Sequence, residues 1–161
     1  MAVTEIPAPR SANLRDQLSV AAVDACQSVL YCLREDTRDV VAAGLIGPHG
    51  SEIASIRRDD APTFSMGKVA SLTGTMAAVG LALCQEAGHG ICRSVILDAD
   101  EGRTLILAVP AGRRFFWLFV TAGESALLGQ VVLHARECQD SLAEILEAEE
   151  TTNELAARAS A

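Results

Sequence analysis

The sequence predicts an α+β fold: a five-stranded antiparallel sheet in the order α-β-β-α-β-β-β-α, with helices on both faces. Three observations predict it. The segment His89–Val120 reads as a meander of three short strands rich in Val, Ile, Leu and Phe, Cys92–Ala99, Arg103–Pro110 and Arg113–Val120. Asp100-Glu101-Gly102 and Ala111-Gly112 punctuate it with hairpin chemistry. A strongly apolar helical stretch precedes this meander and a second helix follows it, so layers of helix and sheet can bury each other's apolar faces.

The first helix is expected from about Ala12 to Leu33. Leu14, Leu18, Ala22, Ala25 and Val29 recur at spacings of three and four, and Ser11 or Asn13 can cap it by accepting an orphan backbone N–H. Val40–Ile46 and Glu52–Arg57 read as strands about the turn Gly47-Pro48-His49-Gly50, where Pro48 presets one dihedral. The middle helix spans roughly Ser65–Ala87. Its stripe Val69, Leu72, Met76, Val79 and Leu83 has the spacing of a helix covering a sheet. The opposite side, Gly67, Gly74, Ala77, Ala78, Gly80 and Leu81, is small or apolar rather than charged. Each interior glycine costs a helix about 1 kcal/mol relative to alanine, so close approach of another backbone, that of a partner helix, is the expected compensation. The last helix begins near Gly123-Glu124-Ser125 and runs toward Glu150, with Leu128, Val131, Ala135, Cys138, Leu142 and Ile145 inward. The domain organisation expected is a disordered tail over 1–10, one domain over 11–150 and a disordered tail over 151–161.

Composition narrows the function classes. At 161 residues the chain is one domain, and half of it is hydrophobic. A domain this small and this apolar is expected to bury a subunit interface. A net charge of −8 disfavours nucleic acid and anionic membrane surfaces as partners. No apolar run is expected to reach the roughly 18 residues of a membrane span, since Lys68 and Ser71 open the longest helix and Gln85-Glu86 close it. Met1–Arg10 lacks the apolar core of a signal peptide, so the expected location is the cytoplasm. The acidic run from Glu137 to Glu154 reads as a solvated helix face, with a docking strip for a basic partner as the alternative.

Candidate chemistry is sparse. Cys26, Cys32, Cys84, Cys92 and Cys138 form no Cys-x-x-Cys pair and have no zinc-ligand spacing with His49, His89 or His134. They read as core residues, with redox sensing or metal binding as the alternative. Gly67-Lys68 fails as a phosphate loop, because Pro62 stands at the required glycine and Val69 follows the lysine. Gly88-His89-Gly90 follows a helix and precedes a strand, the reverse of a dinucleotide fingerprint. Asp98, Asp100 and Glu101 sit at a hairpin where turn geometry alone favours them. Arg113-Arg114 beside Phe115-Phe116-Trp117 could suggest single-stranded nucleic acid, but only one alternate set of those aromatics can face outward. No Gly-x-Ser-x-Gly elbow is present. The expectation is a protein that is no enzyme and uses neither cofactor nor metal.

Val41-Ala42-Ala43-Gly44-Leu45-Ile46 through Gly50 to Ile53-Ala54-Ser55 resembles the first hairpin of the roadblock family. These are dynein-light-chain-related domains that in bacteria accompany Ras-like GTPases. The resemblance continues through the Ala/Leu-rich helix ending Gly88-His89-Gly90, then Ser94–Asp98, Gly102–Leu107 and the last apolar strand, covering roughly Leu14–Leu146. It implies the middle helix on one sheet face and the terminal helices on the other. It further implies a homodimer in which third strands pair edge to edge into a ten-stranded sheet, with middle helices side by side. Gly67, Gly74, Ala77, Ala78 and Leu81 would then meet the partner helix. Arg93, Val95 and Leu97, or the alternate set Cys92, Ser94 and Ile96, would line the strand seam. Functionally it implies a non-enzymatic adaptor or regulator of a small Ras-like GTPase. The alternatives are a scaffold for a sensor kinase or motor complex that docks on the acidic terminal helix, and a small-molecule sensor using His89 or Cys92.

Overall fold

A computed structural model describes residues Leu18–Ala161. Its elements follow the predicted order: α1 (Val20–Asp36), β1 (Val40–Ile46), β2 (Glu52–Arg57), α2 (Met66–Glu86), β3 (Ser94–Ala99), β4 (Gly102–Ala111), β5 (Arg114–Gly123) and α3 (Leu128–Ala159). The strands make one antiparallel sheet in the order β2-β1-β5-β4-β3. Sequential pairing of β3, β4 and β5 is the meander. The last strand then returns to pair with β1, which leaves β2 and β3 as the two edges.

The larger core lies between the sheet and the α1–α3 layer. Leu30 and Leu33 of α1, and Val131, Ala135, Leu142 and Leu146 of α3, close over Leu45, Ile53, Leu105, Leu107, Val109, Phe116 and Leu118. Fully burying each large side chain stabilises the fold by about 1.5–3 kcal/mol, so this layer carries most of the hydrophobic stabilisation. The buried stripe of α1 is Ala22, Cys26, Leu30 and Leu33, rotated from the expected Ala25 and Val29. Its N-cap is Ser19, whose hydroxyl accepts from the Ala22 N–H at 3.1 Å. The expected caps Ser11 and Asn13, the expected start at Ala12 and the tail over 1–10 lie outside the described residues.

Part of the acidic run is structural rather than merely solvated. Glu149 of α3 accepts from the Ser19 N–H at 2.6 Å and from its hydroxyl at 3.1 Å. A carboxylate is thus placed at the positive end of the α1 dipole. Glu150 pairs with Arg114 at the start of β5. Helix α3 continues to Ala159, beyond the expected end near Glu150. The residues past Glu150 bury nothing, yet Glu, Leu, Ala and Arg are strong helix formers. The Thr151 and Thr152 hydroxyls fold back onto the Glu147 and Ala148 carbonyls.

Helix α2 covers the other face alone. Contrary to the sequence expectation, Met66–Glu86 is by length and composition apolar enough to cross a membrane. Its ends feed β2 and β3, however, which belong to one sheet, so in this fold it lies across that sheet.

Two outcomes test this packing. At Gly102 an added Cβ would lie 2.6 Å from the Ala122 carbonyl oxygen, so Gly102→Ala should destabilise by about 1–3 kcal/mol in urea unfolding. Burial, reinforced by Glu149, raises the Cys26 thiol from the ordinary 9.0 to about 11. Burial, reinforced by Cys26 and Cys32, raises Cys138 to about 12. Above pH 9.0 the unfolded chain loses these two protons while the folded chain keeps them. Their contribution is therefore intact below that pH and declines as pH climbs from there through the folded values. Unfolding free energies measured across that window should fall, and Cys138→Ala should make the decline shallower.

Candidate interaction surface

The sheet face beneath α2 is bulky. Ile46, Trp117 and Phe119 stand on it, and the helix answers with Ala70, Thr73 and Ala77, its buried residues. Close packing at fixed volume requires small residues opposite large ones, so the small side of the helix is the side that seats. The approach is tight at both ends. A Cβ on Gly74 would sit 3.4 Å from the Gly50 Cα in the β1–β2 turn, and one on Gly80 would sit 2.9 Å from Val95 Cγ2 in β3. The close backbone approach expected from the glycines is met at Gly74, within the chain, whereas Gly80 meets the side chains of Val95 and Cys92.

This reverses the expected orientation of α2. The stripe read as sheet-covering instead leaves Leu72, Val79 and Leu83 exposed at 64 %, 55 % and 68 %, with Val69 and Met76 half-buried along its margin. Among the residues expected to meet a partner helix, Ala77 is buried on the chain's own sheet and Gly74 abuts Gly50. Neither belongs to an outward face. Gly67 and Ala78 are exposed, and Leu81 is half-buried.

The exposed stripe has a definite neighbour. With successive side chains turned by roughly 100°, Leu72, Met76, Val79 and Leu83 project on the Gly80 side of the helix axis, away from Gly74. Gly80 faces β3 and Gly74 faces the β1–β2 turn, so the stripe overhangs the β3 side of the sheet. There β3 is the terminal strand, with Arg93, Ile96 and Leu97 exposed and Val95 and Ser94 half-buried. Val95 and Leu97 share the α2 face, as their pairing with Ile106 and Thr104 requires, while Ser94 and Ile96 face the other way. Cys92, in the alternate seam set, is buried before β3 begins. Asp98 is held to Arg103 at 3.0 Å, and Arg103 also donates to the Glu124 and Ala126 carbonyls, which fixes the tip of β3 to the β5–α3 connection.

The opposite edge is guarded. The Gln27 side chain of α1 donates to the Ser55 carbonyl at 2.7 Å and accepts from the Ser55 N–H at 3.3 Å, as an added strand would.

On the other flank of α2 lies a mainly apolar groove of about 610 Å3, lined by Ala78, Leu81, Ile91, Phe115 and Trp117, together with His49 and Arg113. Among the described residues no group of three or more His, Cys, Asp or Glu could hold a metal ion. His134 is paired with Glu137 at 3.2 Å. The sequence reading missed Leu72, Val79 and Leu83 as surface residues. The alternation that puts Trp117 and Phe119 on one sheet face was the signal that could have found them.

A pair of adjacent substitutions tests the orientation. Ala77→Leu should cost about 1–3 kcal/mol by overpacking the sheet, whereas Ala78→Leu should stay within about 0.5 kcal/mol. Equal effects in thermal unfolding would contradict the seating described.

No protein-family profile matches the sequence, and no curated protein matches it. Solved structures do match in three dimensions. MglB in a tetrameric arrangement aligns with a TM-score of 0.74 at 23% identity, covering 82% of this chain and 95% of that one. The gliding protein MglB from Thermus thermophilus aligns at 0.73 and 23% identity, over 81% and 95%. A roadblock/LC7 domain from Streptomyces avermitilis aligns at 0.63 and 17% identity, over 72% and 92%. With the strand order and helix placement observed, these likenesses give the conclusion of this geometry: the chain has the fold of a roadblock domain.

Proposed function

We propose that the chain is a homodimeric, non-enzymatic regulator of a small Ras-like GTPase, acting in the cytoplasm. One observation carries the dimer: an exposed aliphatic stripe on α2 is contiguous with the open edge of β3. Edge-to-edge pairing of β3 with its copy satisfies a row of backbone donors and acceptors that water otherwise holds. The same two-fold axis brings the Leu72, Val79 and Leu83 stripes of two helices together, and the three-and-four spacing of the stripe suits helix-on-helix contact. A two-fold interface of this kind is self-complementary, so one patch serves both copies.

The regulatory half of the reading is supported by the likeness to MglB and roadblock structures together with the sequence resemblance to domains that accompany Ras-like GTPases. A protein of this kind acts by binding. It alters nucleotide turnover by ordering the GTPase's own catalytic groups, and needs no acid, base or metal of its own. The apolar groove beside α2, one on each copy, offers a site for such a partner.

The test combines assembly with turnover. Wild-type protein should sediment as a dimer at micromolar concentration. Leu72→Glu with Leu83→Glu should weaken association by roughly a hundredfold or more, about 2.7 kcal/mol, because two carboxylates would be desolvated at the seam. A Ras-like GTPase from the same cell should be retained in one nucleotide state and change its single-turnover GTP hydrolysis rate when the wild-type dimer is added. A monomeric wild type, or a dimer that leaves nucleotide binding, exchange and hydrolysis unchanged, would refute the corresponding half of the reading.

A further inference from the structure

We propose that Cys84 and Cys92 form a reversible dithiol–disulfide site that joins the end of α2 to the root of β3. Cys84 lies one turn beyond Gly80 on the sheet-facing side of the helix, and a Cβ placed on Gly80 would sit 3.1 Å from the Cys92 Sγ. Residues four apart share a helix face, so Cys84 borders the same Cys92 thiol that lies against Gly80. Between them the chain reverses through a tight helix end. The His89 N–H donates to the Cys84 carbonyl at 2.7 Å and the Gly88 N–H to the Gln85 carbonyl at 3.0 Å. Gly88 and Gly90 take φ of +72° and +77°, a conformation only glycine adopts without strain. This Schellman turn is what returns Cys92 to Cys84.

The pair also has an access route. Cys92 lines the groove beside α2, and Cys84 is half-buried rather than enclosed. Cys26, by contrast, is fully buried in the α1–α3 core. Burial, then the neighbouring Cys84, pushes the Cys92 thiol upward, while its own contact with the Ser94 carbonyl opposes this. Cys84, the more exposed of the two, is the first nucleophile and Cys92 the resolving one.

With hydrogen peroxide as oxidant the steps balance. The Cys84 thiolate attacks one peroxide oxygen, the O–O bond breaks, and the departing hydroxide takes up a proton as water, leaving a sulfenic acid. The Cys92 sulfur then attacks the Cys84 sulfur, the S–O bond breaks, and a second water leaves. Two thiols are oxidised to one disulfide while one peroxide is reduced to two waters. The bond would pin the last turn of α2 to β3, so that both elements of the exposed surface move as one body. In a reducing compartment such a bond is transient, as a regulatory one must be. The inference stands independently of the GTPase reading.

The experiment uses the full chain, treated with hydrogen peroxide, alkylated and digested with trypsin without reduction. Lys68 and Arg93 flank a peptide, Val69–Arg93, that contains both cysteines. It should be recovered lighter by two hydrogens, unalkylated, and restored by dithiothreitol, with a higher Tm for the oxidised protein. Cys84→Ser should abolish the mass loss. A peptide that retains two alkylatable thiols while exposed Cys32 oxidises would overturn the proposal, as would Cys84 recovered linked to a second copy. Because the wild-type peptide mass decides the question, a variant that fails to fold does not obscure it.

Discussion

The fold depends on a size match between one sheet face and one helix. Trp117, Phe119 and Ile46 make the sheet side high, so only the low side of α2, built from Ala70, Thr73, Ala77 and the flanking glycines, can sit down on it. Packing at crystal-like density leaves no freedom to exchange the two sides. Once the small residues are committed inward, the aliphatic stripe is turned to the flank, above β3. The apolar surface that distinguishes this molecule is a geometric result of its own interior.

The two sheet faces divide the labour. The α1–α3 layer contributes the large aliphatic core and ties itself together through polar contacts, Glu149 on Ser19 and Glu150 on Arg114, at the ends of elements. The α2 layer buries far less of its own surface and holds the groove, the cysteine pair and the stripe. Hydrophobic stabilisation thus resides mainly on the α1–α3 side of the sheet, and the open apolar surface on the α2 side.

Much of this architecture is legible in the sequence. Strands β1 and β2 lie where alternation and the Gly47–Gly50 turn put them, and the Asp100-Glu101-Gly102 and Ala111-Gly112 turns bound the meander within a few residues. Local chemistry decides such features, so local sequence reveals them. The orientation of α2 was not legible from its own residues, because both of its sides are apolar and periodicity cannot rank them. The deciding information sits some forty residues away, in the aromatic positions of β5. The capping of α1 by Glu149 and the guarding of β2 by Gln27 were hidden for the same reason. Each joins residues far apart in the chain, and a glutamate or glutamine on a helix carries no mark of what it will meet. The continuation of α3 past Glu150 was misjudged in the other direction, since small polar residues suggested fraying where backbone-bonded threonines and strong helix formers sustain the helix.

The amide of Gln27 has a consequence for how large an assembly can grow. A sheet with two open margins can add copies without limit, and a flat apolar margin is how fibres begin. Here one margin is already occupied by a side chain that mimics the missing strand. For the proposed dimer this favours strand pairing at the β3 margin of each copy over further growth from β2. One glutamine amide thus weighs against open-ended growth of the sheet at Ser55.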